Sequence, residues 1–467
     1  GRAEYEARWS ERRDRQVARN PQAVLLASLA AEALGCGATA LPAIDFPPEF
    51  RSDFAPLAAL PPAAARPAPL FGAAKPPRDV IVIVLESVAA RWLSVYGSPW
   101  NPTPRLAAEM AAHGLVSDGF YAHVGQTANS LVAIELSVYP PITWREATLD
   151  APRLPGRTLA QMLRPRGFRT AFISPGDLDW ADEAVFLQDR GFDEVDYAPP
   201  RRLSDWGGED VYMVDQILAF IDRDRSRPFF VTGWTDQTHH PYELAPEATP
   251  REFFRDGETP PDLDDWGFER YLNTLAELDR QLGRLFDGLR ERGLADDTLV
   301  VVTGDHGEAF GWPHPTWGHG FGLFQENVHV PFMVWSPRLF PRRGVRSSAI
   351  GSHVDLNATV CDLIGLAPDA SWQGRSLFDP RKPPRAYFFS AAQDYVLGMR
   401  DEGWKYIFDA TDGREELYDL AADPDEQRNV AGASPERCRR CRQRVAAWVD
   451  FEGEHLDSLR RSQLPVE

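Results

Sequence analysis

The chain has 467 residues, 43% hydrophobic and 25% charged, enough for a large core and more than one domain. Lys and Arg number 50 against 69 Asp and Glu, and the resulting charge of −19 disfavours nucleic acid and anionic membrane surfaces as main partners. Four cysteines are too few for a disulfide framework.

Residues 1–34 read as a charged helical stretch running into an Ala/Leu-rich one. The most apolar segment, 23–44, is broken by Glu32, Gly35, Gly37 and Pro42, so no membrane span is predicted. The chain opens on Gly1 and is read as a processed or excised piece, with membrane contact expected only through an N-terminal anchor that has been removed. Residues 47–77, rich in Pro and Ala, read as an extended connector. From residue 79 short apolar runs alternate with helical patterns. Strands are expected at 80–85, 169–174, 228–234, 298–304 and 330–335, each continuously hydrophobic, as in a sheet covered on both faces. Helices are expected at 104–114, with Thr103 as N-cap and Gly114 past the end, at 210–224, and at 268–293, where leucines keep helical spacing. After about residue 385 come short strands and one basic helix. Cys438 and Cys441, three apart on that helix, read as neighbouring surface thiols or one local bridge. The predicted fold is α/β, a mostly parallel central sheet sandwiched by helices with a small C-terminal antiparallel-sheet-plus-helix subdomain. The divisions are 1–77, a catalytic domain over 78–385, and 386–467.

Ligands of open α/β sheets bind beyond the carboxyl ends of the strands. Three predicted strands end there in polar groups: Glu86-Ser87, Asp305-His306-Gly307-Glu308, and Thr235 to His240. Their Glu, Asp and His side chains are the oxygen and nitrogen donors that zinc or manganese takes. Residues 125–141 read as a loop entering a helix, whose N-terminus would favour an anion and an ionised alcohol. Residue chemistry leaves three candidates for the hydroxyl or polar group there: Thr127, Ser130 and Asn129.

The strand ending in Glu86, FYAHVGQTANSLVAIELSVYP (120–140), VVTGDHGE with Asp305-His306, and WGHGFGLFQENVHVPFMVW (317–335) stand in one order from about 78 to 385. In that order they resemble the sulfatase-like branch of the alkaline phosphatase superfamily, nearest to the lipoteichoic acid synthase and phosphoethanolamine transferase type. The resemblance implies one divalent ion held by Glu86, Thr127, Asp305 and His306, with zinc or manganese favoured and magnesium or calcium admitted. It implies Thr127 as nucleophile through a covalent phosphothreonine. His240 and His319 would contact the phosphate, protonate the leaving group or hold a second ion. His239, His314 and His329 are read as surface or structural, and His123 as near the site without a role in it. The segment 404–431 resembles the closing scaffold of sulfatases proper.

Two departures shape the expectation. The Cys or Ser motif that matures to formylglycine in sulfatases is absent. In 174–195, where the synthases grip glycerol phosphate, the chain places Trp180, expected to bind substrate, beside the acids Asp182 and Glu183 rather than an Arg. An acidic wall suits a substrate or acceptor with a positive group, such as an amine. The expected function is a metal-dependent phosphoryl-ester transferase or hydrolase acting outside the cytoplasm on an envelope lipid or glycan. The alternatives are sulfuric ester hydrolysis and a non-catalytic relative.

Overall fold

A computed structural model describes residues 44–61, 70–73, 75–197, 208–245, 248–254 and 267–462. The helical reading of 1–34 and most of the apolar stretch 23–44 lie outside those residues.

Asp79–Leu85 forms β1, buried along its whole length. Val80, Val82 and Val84 enter one core, while Ile81, Ile83 and Leu85 enter the other, because successive side chains leave a strand on opposite faces. Burying each such side chain is worth about 1.5–3 kcal/mol, which makes β1 the anchor of both layers. The chain continues through α1 (Pro104–His113), β2 (Gly114–Tyr121), α2 (Thr127–Leu136), β3 (Arg169–Ile173), β4 (Glu194–Asp196) and α3 (Asp210–Arg223). It then passes β5 (Phe229–Trp234), α4 (Phe268–Glu291), β6 (Thr298–Gly304), β7 (Phe332–Trp335), β8 (Val345–Ser352) and α5 (Leu356–Leu363). These strands order as β8-β2-β7-β6-β1-β5-β3-β4, with the short strand His329–Val330 pairing β2. The pairs β1–β5, β1–β6, β3–β5, β3–β4 and β2–β8 are parallel; β7 runs antiparallel to β2 and β6. A separate four-stranded antiparallel sheet follows, β9 (Arg385–Ser390), β10 (Val396–Asp401), β11 (Trp404–Asp409) and β12 (Arg414–Asp419), then α6 (Pro435–Ser462). The architecture is therefore the expected one.

Local differences have physical causes. Gly114 does close α1, but the chain turns straight into β2, a strand its mixed Gly, Ser and Asp content hides. The Thr103 hydroxyl does not cap α1; it accepts from the Ser94 N–H at 2.9 Å. The free N–H groups of Arg105 and Leu106 instead donate to Asp279 on α4, at 2.9 and 2.7 Å. Residues 48–59 are not extended: they make 3-10 turns at Pro48–Asp53 and Leu57–Ala59. Phe54 between them is fully buried beside Tyr387, and Arg51 pairs with Asp450 and Glu454 of α6. Cys438 and Cys441 are free and buried in the C-terminal core, neither surface thiols nor bridged. Among the described residues, no helix is long and apolar enough to cross a membrane.

Candidate active site

The register of the sheet brings the polar groups together. Leu85 of β1 lies opposite Gly304 of β6, and Val84 lies opposite Trp234 of β5. Glu86, Asp305 and Thr235, the next residues, therefore share one edge. The Glu86 N–H donates to the Thr235 hydroxyl at 2.9 Å, and Ser87 Oγ donates to Glu86 Oε1 at 2.8 Å. Asp305 Oδ1 accepts from the N–H groups of Ser87 at 2.9 Å and His306 at 2.6 Å. Its Oδ2 is buried, has no hydrogen-bond partner, and lies 3.3 Å from His306 Nε2. His306 Nδ1 lies 3.1 Å from the Gly307 carbonyl. A carbonyl can only accept, so Nδ1 carries the proton and the Nε2 lone pair faces the cluster.

Glu86, Asp305 and His306 offer ligand atoms within 4.8 Å of one another. Burial and the adjacent Glu86 charge push the Asp305 carboxyl well above its usual range. Burial and the neighbouring His319 hold His306 down at about 4. Two buried carboxylates and a neutral imidazole, with one oxygen unsatisfied, call for a cation. The donor set fits a divalent ion. A second group, His306, Glu308 and His319, meets the same distance condition.

Thr127 opens α2, whose first turn points at this cluster. Its Oγ1 lies 3.3 Å from Glu86 Oε2 and 3.4 Å from His306 Nε2. Gln126, not Thr127, is the residue before the helix, so the threonine side chain is not spent on capping. The other two candidates serve the scaffold. Ser130 Oγ donates to the Asp305 carbonyl at 2.9 Å, and Asn129 holds Gln126, Arg145 and Ala147. Gly125 allows the close approach of this loop to the next: a Cβ there would stand 2.0 Å from the His319 carbonyl oxygen.

A cleft of about 560 Å³ opens on the cluster, lined among others by Glu86, Thr127, Trp180, His240 and His319. His319 Nδ1 bonds Glu308 Oε2 at 2.8 Å, and Tyr242 donates to Glu308 Oε1 at 2.6 Å. Burial opposes protonation of His319, but the Glu308 carboxylate outweighs it and raises its pKa. His319 also packs over His306, ring centres 4.2 Å apart. His240 is exposed on the cleft rim.

The remaining histidines divide between the cleft and the scaffold. His239, read as surface or structural, lines the cleft, 6.5 Å between ring centres from His319. His314 is buried and His329 half-buried, in keeping with a structural role, and His123 bonds the Tyr387 carbonyl at 2.6 Å outside the cleft lining. Of the two acids after Trp180, Glu183 lines the cleft and Asp182 does not. Glu183 thus forms the acidic wall expected of it, whereas Glu308 was legible only as an acid beside a motif.

Arylsulfatase K of Xenopus laevis is 28% identical over 200 residues, 39% of this chain and 37% of the relative. Choline-sulfatase of Rhizobium meliloti is 30% identical over 171 residues, 34% of this chain and 32% of the relative. The matched region thus spans about a third of the length of these curated relatives. The crystal structure of the lipoteichoic acid synthase LtaP from Listeria monocytogenes superposes with a TM-score of 0.63 at 17% identity, covering 87% of this chain and 97% of that one, a likeness of fold. The sulfatase family model matches residues 78–366, more than half of the sequence, and with the fold and the acid cluster already described this chain belongs to the sulfatase family.

Proposed function

We propose that this chain is a divalent-ion-dependent enzyme that cleaves a phosphate ester by attack of the Thr127 hydroxyl oxygen, passing the phosphoryl group to water or to an acceptor alcohol. The observation that carries the reading is Thr127 Oγ1 within 3.4 Å of both Glu86 and His306 at the start of a buried helix. Glu86, Asp305, His306 and the Thr127 hydroxyl would hold the ion, zinc or manganese by donor type. A bound divalent ion supplies Lewis-acid stabilisation of negative oxygen at this point. Glu86 accepts the Thr127 hydrogen bond, orients the oxygen and takes up its proton as the oxygen attacks. The Thr127 Oγ1–phosphorus bond forms as the bond from phosphorus to the leaving alcohol breaks. The N–H groups of the first turn of α2 take up charge on the non-bridging oxygens. His319, held towards its protonated form by Glu308, protonates the departing alcohol, with His240 at the rim placed for the substrate. The second step reverses these roles. Nearness to the lipoteichoic acid synthase and phosphoethanolamine transferase type, an ester of an envelope lipid or glycan as substrate, and an extracytoplasmic location belong to this proposal. A mass increase of one phosphoryl group on Thr127 during turnover is the expected result; turnover undiminished in Thr127→Ala would overturn it.

A second reading, sulfate-ester hydrolysis, is favoured by the comparisons, since the family and both curated relatives carry sulfatase names. Against it stands Thr127 itself, a residue that cannot be matured to formylglycine. Matched aryl sulfate and aryl phosphate separate the two: faster cleavage of the sulfate establishes the second reading, and faster cleavage of the phosphate the first.

A further inference from the structure

Away from the cleft, segments far apart in sequence converge on a second, much smaller polar cavity. Asp53 comes from the turn Pro48–Asp53, Asp355 from the turn ahead of α5, and Arg375 from the loop after that helix. Lys382 precedes β9, and Arg385 and Tyr387 belong to it. The space measures about 10 Å³, room for one occupant near the size of a water.

Its carboxylates are fully engaged. Asp355 accepts from the N–H groups of Arg375 at 2.8 Å and Ser352 at 2.9 Å, and pairs with Lys382 at 3.1 Å. Asp53 accepts from the Tyr387 hydroxyl at 2.8 Å and pairs with Arg444 at 2.9 Å and Arg385 at 3.5 Å. Arg385 also meets Asp401 at 2.9 Å. Glu452, which accepts from Gln373 on the cavity wall at 2.8 Å, is held well above the usual carboxylate range by its burial and supplies no charge.

The cations are not all matched. Arg375, Lys382, Arg385 and Arg444 face only Asp53, Asp355 and Asp401, which leaves one positive charge over. The surplus sits on Arg375. It is 7% exposed, its terminal nitrogens donate to the carbonyls of Ser52 and Arg381, and its Nε has no hydrogen-bond partner. A carbonyl accepts a guanidinium hydrogen bond without neutralising its charge, so a buried cation remains uncompensated beside a space for one small particle.

We propose that this cavity holds one monovalent anion of the halide class, chloride in solution, which balances Arg375 and fastens the turn Pro48–Asp53 and β9 to the catalytic domain. Urea unfolding of the full, metal-loaded chain is compared in potassium chloride and potassium gluconate at one ionic strength, gluconate being too large to enter. Chloride at ten times its Kd is expected to lower the unfolding constant about elevenfold, with saturation, relative to gluconate. Crystals soaked in bromide should show anomalous scattering in the cavity. Arg375→Gln removes the surplus charge without stranding a carboxylate and should abolish the chloride dependence. The bromide position is read in the wild type, so a variant that failed to fold would not stall the test. Equal unfolding constants in the two salts, a cavity that takes water and no bromide, or a chloride dependence kept by Arg375→Gln overturns the proposal.

Discussion

Two buried clusters in this molecule are built from the same residue types and behave as opposites. At the sheet edge, Glu86, Asp305 and His306 crowd together with no Lys or Arg among the described residues in ion-pair contact. At the junction with the C-terminal sheet, His314, Glu326 and Glu426 crowd in the same way. There Lys405 Nζ reaches Glu426 at 2.8 Å, Arg91 reaches Glu326 at 3.5 Å, and His314 donates to Glu326 at 2.7 Å. The second cluster contains its own cations and joins the loop carrying His314 to β11 and the segment after β12. The first lacks one and opens on a cleft. Three acids and imidazoles in proximity do not by themselves define a metal centre; an unbalanced charge does.

The comparison is sharpest at Thr127, which belongs only to the first cluster. Thr127→Ala should lower turnover by at least about a thousandfold while metal content by elemental analysis stays near that of wild type. Asp305→Asn should abolish both metal and turnover, whereas Glu426→Gln should keep both per folded molecule. Stability should move the other way. Glu426→Gln strands the Lys405 charge in a fully buried position and should cost about 3–5 kcal/mol by urea unfolding. Asp305→Asn in metal-free protein should be neutral or stabilising by about 1 kcal/mol. An Asn keeps the oxygen that accepts from Ser87 and His306, and removes the carboxyl that Glu86 repels when ionised. If both substitutions destabilise the metal-free protein equally, the two clusters are not opposites. Adding metal to wild type should raise its unfolding free energy by about 2.7 kcal/mol at a hundredfold excess over Kd, an increment Asp305→Asn should lose.

The parts of this design that sequence showed are those set by one-dimensional pattern. β1 and β6 are unbroken apolar runs, so Glu86 and Asp305 announce themselves at the points where the runs stop. Hydrophobicity carries no strand direction, which is why the antiparallel sense of β7 was invisible. β8 was missed because its first half alternates exposed Arg and Ser with partly buried neighbours at the sheet edge. His239 reaches the cleft only through loop geometry, which no spacing rule encodes. Lys405 and Glu426 sit 21 residues apart with nothing in the pattern to pair them.

The smallest effect tests the inner cation of the second cluster. Burial disfavours the His314 imidazolium, but its bonds to Glu326 and to the Glu426 carbonyl prevail and raise its pKa above the ordinary value. A pKa raised by folding means that the folded state holds the proton more tightly than the unfolded chain. The stabilisation is then complete below the unfolded value of about 6.5 and is lost as pH rises through the folded one. Wild type should therefore lose stability on passing from pH 6 towards pH 9, beyond any slope shared with the variant His314→Gln. The sheet-edge cluster has no raised imidazole among its three residues, since His306 is held at about 4 and stays neutral throughout this range. A pH slope that survives His314→Gln would mean that Lys405 and Arg91 balance the junction alone, and that His314 is there only for the ring it stacks on Phe324.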